Sequence, residues 1–243
     1  MTVGHLWMIK QGVSLFDRLV VAVGINPEKR YTFPLEERLM MVKESLKKFG
    51  NLSVTSFSKR LTAAYAEPHR RYHNHQHIAE CLAELDDARS LTKESDKVEW
   101  ALWFHDAIYD PRAEDNEEKS AALARECLTG AGLRRDYVEA ICRLVMVTKS
   151  HDVGSDMNAG VMVDVDLAIL GQPEKRFCEY EAQIREEYGW VPDNIFAQKR
   201  AAILDRFSTR ERIYSTDWFH KKYEERARRN LEMSIRNLKR LFS

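Results

Sequence analysis

The residues best equipped for chemistry are imidazoles and carboxylates in three separate stretches. The first is Arg71-Tyr72-His73-Asn74-His75-Gln76-His77-Ile78. Read as a helix, it puts His73 and His77 four apart on one face, with His75 pointing elsewhere. Two imidazoles one turn apart can converge on one metal or one phosphate. The second stretch is Trp100-Ala101-Leu102-Trp103-Phe104-His105-Asp106, an apolar helix that ends in a His-Asp pair. Burying a carboxylate without a partner is costly, so Asp106 needs a cation or hydrogen bonds unless the helix end reaches solvent. The third runs from Val161 to Leu170, where Asp164 and Asp166 interrupt an otherwise apolar segment. Acids inside a core stretch are rarely unpaired. Metal ligation, a buried salt bridge or a cap would each account for them. The alternation over 161–166 also reads as a strand, which changes the acid that faces inward.

Taken together, the stretches offer nitrogen and oxygen donors from three distant elements. Such a set suits a divalent ion of Mn, Fe, Co, Ni, Zn or Mg rather than a thiolate-bound structural zinc. A bound divalent ion lowers the pKa of its water and screens the charge of a phosphate, as a phosphohydrolase requires.

The elements that must hold these residues are mostly helices. Beyond about residue 60, apolar residues recur at three and four over 74–90, 96–105, 116–128, 134–148, 161–170, 174–188, 194–207 and 217–242. The connections carry turn formers, as at Asp110-Pro111, Gly130-Ala131-Gly132 and Gly171-Gln172-Pro173. The beginning of the chain reads differently. Leu19-Val20-Val21-Ala22-Val23 suits a buried parallel strand, Pro34 to Phe49 a helix, and Leu52 to Phe57 a second strand. The expected fold is therefore mainly α: a helical bundle over 59–243 preceded by a small β-α-β fragment over 1–58.

Composition narrows the function classes. Lys plus Arg and Asp plus Glu both number 38, for a formal net charge of zero, so nothing global points to a nucleic acid polymer as partner. The basic stretch His220–Arg240 reads as a solvated helix face. No apolar run approaches the ~20 residues of a membrane span, and no signal peptide is read at the N-terminus. Cys81, Cys127, Cys142 and Cys178 are scattered through apolar helical contexts, where a free thiol packs as a small hydrophobe. A reduced, cytoplasmic protein is expected.

The ordered series of an early His, a His-Asp pair and a late Asp resembles the HD superfamily of metal-dependent phosphohydrolases. Tyr72-His73-Asn74 with His77, Trp103-Phe104-His105-Asp106-Ala107-Ile108-Tyr109, Asn116 to Ala121 and Asp164 to Gly171 are similar to one bacterial branch of it. The segments Ile184-Arg185-Glu186-Glu187-Tyr188 and Ala227 to Leu231 fit the same branch. The resemblance implies metal ligation by His77, His105, Asp106 and Asp166. The Tyr-His-Asn-x-x-His pattern also resembles the start of the cyclic nucleotide phosphodiesterase site, which implies His73 as general acid. Asp164 would orient a ligand or water. Glu117 and Glu118 read equally as solvated helix residues or as a base or water-orienting group near the site. His151 is a candidate to contact substrate or a second metal, and Lys149 to meet a phosphate. The implied substrate is a phosphorylated small molecule, such as a nucleotide or a phosphorylated coenzyme precursor.

The N-terminal stretches Thr2-Val3-Gly4-His5-Leu6, Phe16 to Val23, Asn26-Pro27 with Lys29, and Leu35-Glu36-Glu37-Arg38 resemble phosphopantetheine adenylyltransferase and its nucleotidyltransferase relatives. This implies nucleotide-phosphate binding by Thr2 and His5. Over 1–58 the likeness lacks the family's first strand and its downstream substrate and nucleotide loops, so no adenylyl transfer is expected. The edges of such a fragment call for cover, by the helical domain or by a second copy in a homodimer. The alternative to a hydrolase is a nucleotide- or coenzyme-binding protein related to that transferase.

Overall fold

A computed structural model describes residues 19–22, 52–55 and 58–242. Strands β1 (Leu19–Ala22) and β2 (Leu52–Thr55) pair in parallel, with Leu19 opposite Leu52 and Ala22 opposite Thr55. The helix read over Pro34–Phe49, the calls on Thr2 and His5, and the dimer expected through 1–58 lie outside the described residues.

Helices follow without interruption by strands. They are α1 (Ser58–Tyr65), α2 (His75–Ala88), α3 (Ser95–Phe104), α4 (Asn116–Gly130), α5 (Arg135–Ser150), α6 (Met157–Asp166), α7 (Glu174–Glu187), α8 (Asp193–Ser208) and α9 (Asp217–Lys239). Short 3₁₀ turns cover Arg89–Leu91 and Leu167–Gly171. α1 falls in a stretch where sequence periodicity marked no helix. The chain at 161–166 is helical, so the strand alternative is set aside. No described helix is long and apolar enough to cross a membrane.

α6 explains the arrangement. Ala159 to Val165 are buried on every side of it, as expected of a helix at the centre of a bundle. α3, α5 and α2 pack around it, α4 backs α5, and α9 lies along α8 and the 167–171 turn. The core runs through Leu85, Leu102, Phe104, Leu128, Ile141, Met162 and Phe177, all fully buried. Asn74, Asp156 and Thr216 cap α2, α6 and α9 by accepting from the N–H of Gln76, Asn158 and Phe219. Gly171 is required where the 167–171 turn meets α9: a Cβ there would lie 2.5 Å from Cβ of Tyr223.

Three of the four cysteines are buried as expected. Cys178 is exposed on α7, against the expectation that it packs inward.

Candidate metal centre

Three helices end at the same place. His105 is the C-cap of α3, His151 the C-cap of α5, and Asp166 the last residue of α6. Each C-terminus carries a partial negative charge of roughly half an electron. His77, in the first turn of α2, faces these ends. Nε2 of His77 lies 3.1 Å from Nε2 of His105. Asp106 Oδ2 is 3.0 Å from His105 Nε2 and 3.5 Å from His77 Nε2. Asp166 Oδ1 is 3.4 Å from both. The structure thus brings together His77, His105, Asp106 and Asp166, and one ligand atom each from His77, His105 and Asp166 falls within 4.8 Å of the others.

The donor set fits a cation. His105 Nδ1 is 2.8 Å from the Leu102 carbonyl, which can only accept, so Nδ1 carries the proton. In its neutral form, as when a cation is bound, His105 would therefore turn a lone pair on Nε2 toward the cluster. His77 and His105 are buried, and the carboxylates are shielded to 19% and 17% side-chain exposure. Burial pushes both carboxyls up and both imidazoles down. Attraction to the imidazoles holds Asp106 and Asp166 well below the usual values, the two carboxylates hold His105 well above, and Cys81 and Tyr72 together with the carboxylates hold His77 well above. Four acceptors backed by three helix C-termini need positive charge, whether from protons on the imidazoles or from a metal ion.

His73 departs from the helical expectation. It sits in the turn before α2, with Asn74 as the cap, so it does not share a helix face with His77. Its position comes from Glu187, at the end of α7, a residue that sequence reasoning assigned no role. Glu187 Oε1 accepts from the backbone N–H of Arg71, Tyr72 and His73 at 2.7, 2.8 and 3.0 Å. Its Oε2 meets His73 Nδ1 at 2.6 Å and accepts from the Tyr109 hydroxyl at 2.8 Å. Burial alone would raise this carboxyl; His73 and the donors around it bring it down to about 2. An ionised Glu187 can only accept, so His73 Nδ1–H is the donor. The His73 ring stacks on Tyr109 at 4.1 Å and lies 6.0 Å from the His77 ring.

Arg70 is the second residue without a sequence signal. Its fully buried guanidinium donates to the carbonyls of His73 (3.1 Å), Asp106 (2.6 Å) and Ala107 (3.2 Å). It locks the His73 turn to the His-Asp pair. Nothing in Glu67-Pro68-His69-Arg70-Arg71 distinguishes Arg70 from its exposed neighbour Arg71.

The remaining expectations divide. His151 reaches the cluster, with Nε2 3.6 Å from Asp166 Oδ2 and its ring edge-on to Phe207. It is the only described non-glycine residue with positive φ, at 54°, a backbone strain that often marks a site. Lys149 is paired with Glu118 and donates to the Glu114 carbonyl. Glu117 is half-buried near Lys149 and Tyr188. Asp164 is fully buried and faces away from the cluster. Its oxygens accept from Ser215 and Thr216 N–H, both at 2.7 Å, pinning the loop before α9.

Comparison with known proteins gives the class first. Residues 1–94 match the family model described as Cytidylyltransferase-like. A phosphopantetheine adenylyltransferase of Carboxydothermus hydrogenoformans is 33% identical over 144 residues, 57% of this chain and 85% of that protein. The chain belongs to the phosphopantetheine adenylyltransferase family. Enzymes of the same description from Chromobacterium violaceum (46% identical over 66 residues) and Neisseria meningitidis serogroup C (48% over 65) each align with 27% of this chain. The chain spans only about 40% and 38% of their lengths. The likeness expected to end near residue 58 runs further, to residue 94 in the family match, and the 144-residue alignment also extends past it. No solved structure matches.

Proposed function

We propose that the helical part of the chain is a metal-dependent phosphohydrolase of the HD type. Its substrate is a phosphate ester or anhydride of a nucleotide or a phosphorylated coenzyme-like molecule. The observation that carries this reading is the convergence of His77, His105, Asp106 and Asp166 beneath three helix C-termini. These four side chains would hold a divalent cation, which would supply positive charge to lower the pKa of water and offset the charge on phosphate. His73 is the general acid. With Nδ1–H committed to Glu187, Nε2 is the nitrogen that hands a proton to the leaving oxygen. Tyr109 keeps one face of that ring dry. His151, already at Asp166, is better placed to meet a phosphate than Lys149, which must first leave Glu118. Glu117 is a candidate for orienting water.

Family membership favours a second reading, and the comparisons support it more directly than they support hydrolysis. The relatives' description names adenylyl transfer to phosphopantetheine. In that reading the chain is a nucleotide- or coenzyme-binding relative of the transferase, with Thr2 and His5 on nucleotide phosphates and no hydrolase activity. A panel of phosphate esters and anhydrides with added divalent ions, run beside ATP plus phosphopantetheine, separates the two. The hydrolase reading expects metal-dependent phosphate release that falls at least about 10³-fold in His105→Ala/Asp106→Ala. Unchanged release in that variant, or turnover of ATP and phosphopantetheine alone, contradicts it.

A further inference from the structure

An aromatic face leads away from His73. Tyr109 stacks on the His73 ring at 4.1 Å, and Tyr188 is close enough to Tyr109 for the two side chains to interact electrostatically. Trp190 follows, its ring 6.5 Å from that of Tyr188. Of the described tryptophans only Trp190 is exposed, at 52%. The Arg112 guanidinium lies over its ring, 4.9 Å from the centroid. Among the described residues no carboxylate pairs with that guanidinium.

Both residues leave directly from the site. Trp190 is three residues beyond Glu187, which holds His73, so its Cα is at most about 11 Å from that of Glu187. Arg112 is six residues beyond Asp106. Both loops are pinned. Arg185 donates to the carbonyls of Tyr188 (2.7 Å) and Val191 (2.9 Å), on either side of Trp190, and pairs with Asp193. Asn116 Oδ1 accepts from Asp110 N–H at 3.0 Å, and its Nδ2 donates to the Asp110 carbonyl at 2.9 Å. A large aromatic ring held in water on a tied-down loop gains little from folding. Backed by a cation, it is a ready platform for a flat heteroaromatic ring.

We propose that the open face of Trp190, backed by Arg112, stacks the base of a nucleoside phosphate whose phosphate reaches the His77/His105/Asp106/Asp166 cluster. The proposal rests on the phosphohydrolase reading and sharpens it: the substrate carries a base, and a flexible aliphatic phosphate is held poorly.

The test compares equilibrium binding of AMP and ribose 5-phosphate to the full chain supplied with Mn(II), in the wild type, Trp190→Ala and Trp190→Phe. Phosphate release from both compounds and from glycerol 3-phosphate is followed separately. The wild type should bind AMP about tenfold more tightly than ribose 5-phosphate. Trp190→Ala should remove that preference and Trp190→Phe should retain most of it. Failure to bind AMP, equal affinity for the two phosphates in the wild type, or a preference that survives Trp190→Ala overturns the proposal. Failure of the hydrolase reading shows differently, as no metal-dependent phosphate release from any compound while the base preference stands.

Discussion

At the floor of the site, four acceptor-rich side chains from α2, α6 and the end of α3 face one another with helix C-termini behind them. In the wall beside it, one carboxylate, Glu187, collects donors from Arg71, Tyr72, His73 and Tyr109. The wall is complete within the protein. The floor is not: its negative charge needs protons or a metal ion. The difference teaches that the position of His73 is built into the fold, whereas the state of the floor depends on what it binds.

That division can be broken by substitution. The largest expected effect is His73→Ala, which should lower kcat about 10²- to 10⁴-fold while leaving Mn(II) binding unchanged. Loss of metal together with activity would show that floor and wall are one unit. Glu187→Gln comes next. It removes the charge but keeps an acceptor, and should destabilise the chain by about 2–3 kcal/mol at neutral pH by chemical denaturation. Its folded pKa of about 2 lies below the ordinary 4.5. The stability it provides is full above about pH 4.5 and drains away as pH falls toward 2, about 3 kcal/mol in all. Glu187→Gln should therefore show a flatter loss of stability across that window. An unchanged acid profile would mean that Glu187 is not ionised as argued.

Two acids on α6 sharpen the same contrast. Asp164→Ala strips the partners of two backbone N–H groups and should cost about 2 kcal/mol while Mn(II) affinity holds. Asp166→Asn should instead weaken Mn(II), and because His105, His151 and His77 hold its carboxylate well below the usual range, it should also lower the stability of the metal-free protein at neutral pH. The smallest effect on function is that of Gly171→Ala, which should cost about 1–3 kcal/mol of stability from the clash with Tyr223 but leave kcat unchanged once folded.

The convergence of the floor residues was legible in the sequence because each sits in a local oddity: a cluster of imidazoles, a His-Asp pair closing an apolar helix, acids inside a core stretch. The helices were legible from their period. The wall was not. Glu187 looks like any acid at a helix end, and its partners lie far earlier in the chain, those at 71–73 more than a hundred residues away. Arg70 is one of two adjacent arginines, and only packing decides which is buried. His73 was read into a helix because its spacing to His77 fits one; the Asn74 cap starts the helix after it. Asp164 and Asp166 share a motif, and their opposite orientations follow from three-dimensional packing against the loop before α9.

The most direct measurement of the central claim is a calorimetric titration of metal-stripped protein with Mn(II), comparing the wild type with His105→Ala/Asp106→Ala. The account predicts one saturable site per chain in the wild type and none in the variant. Absence of saturable binding in the wild type, or equal affinity in both proteins, would contradict it.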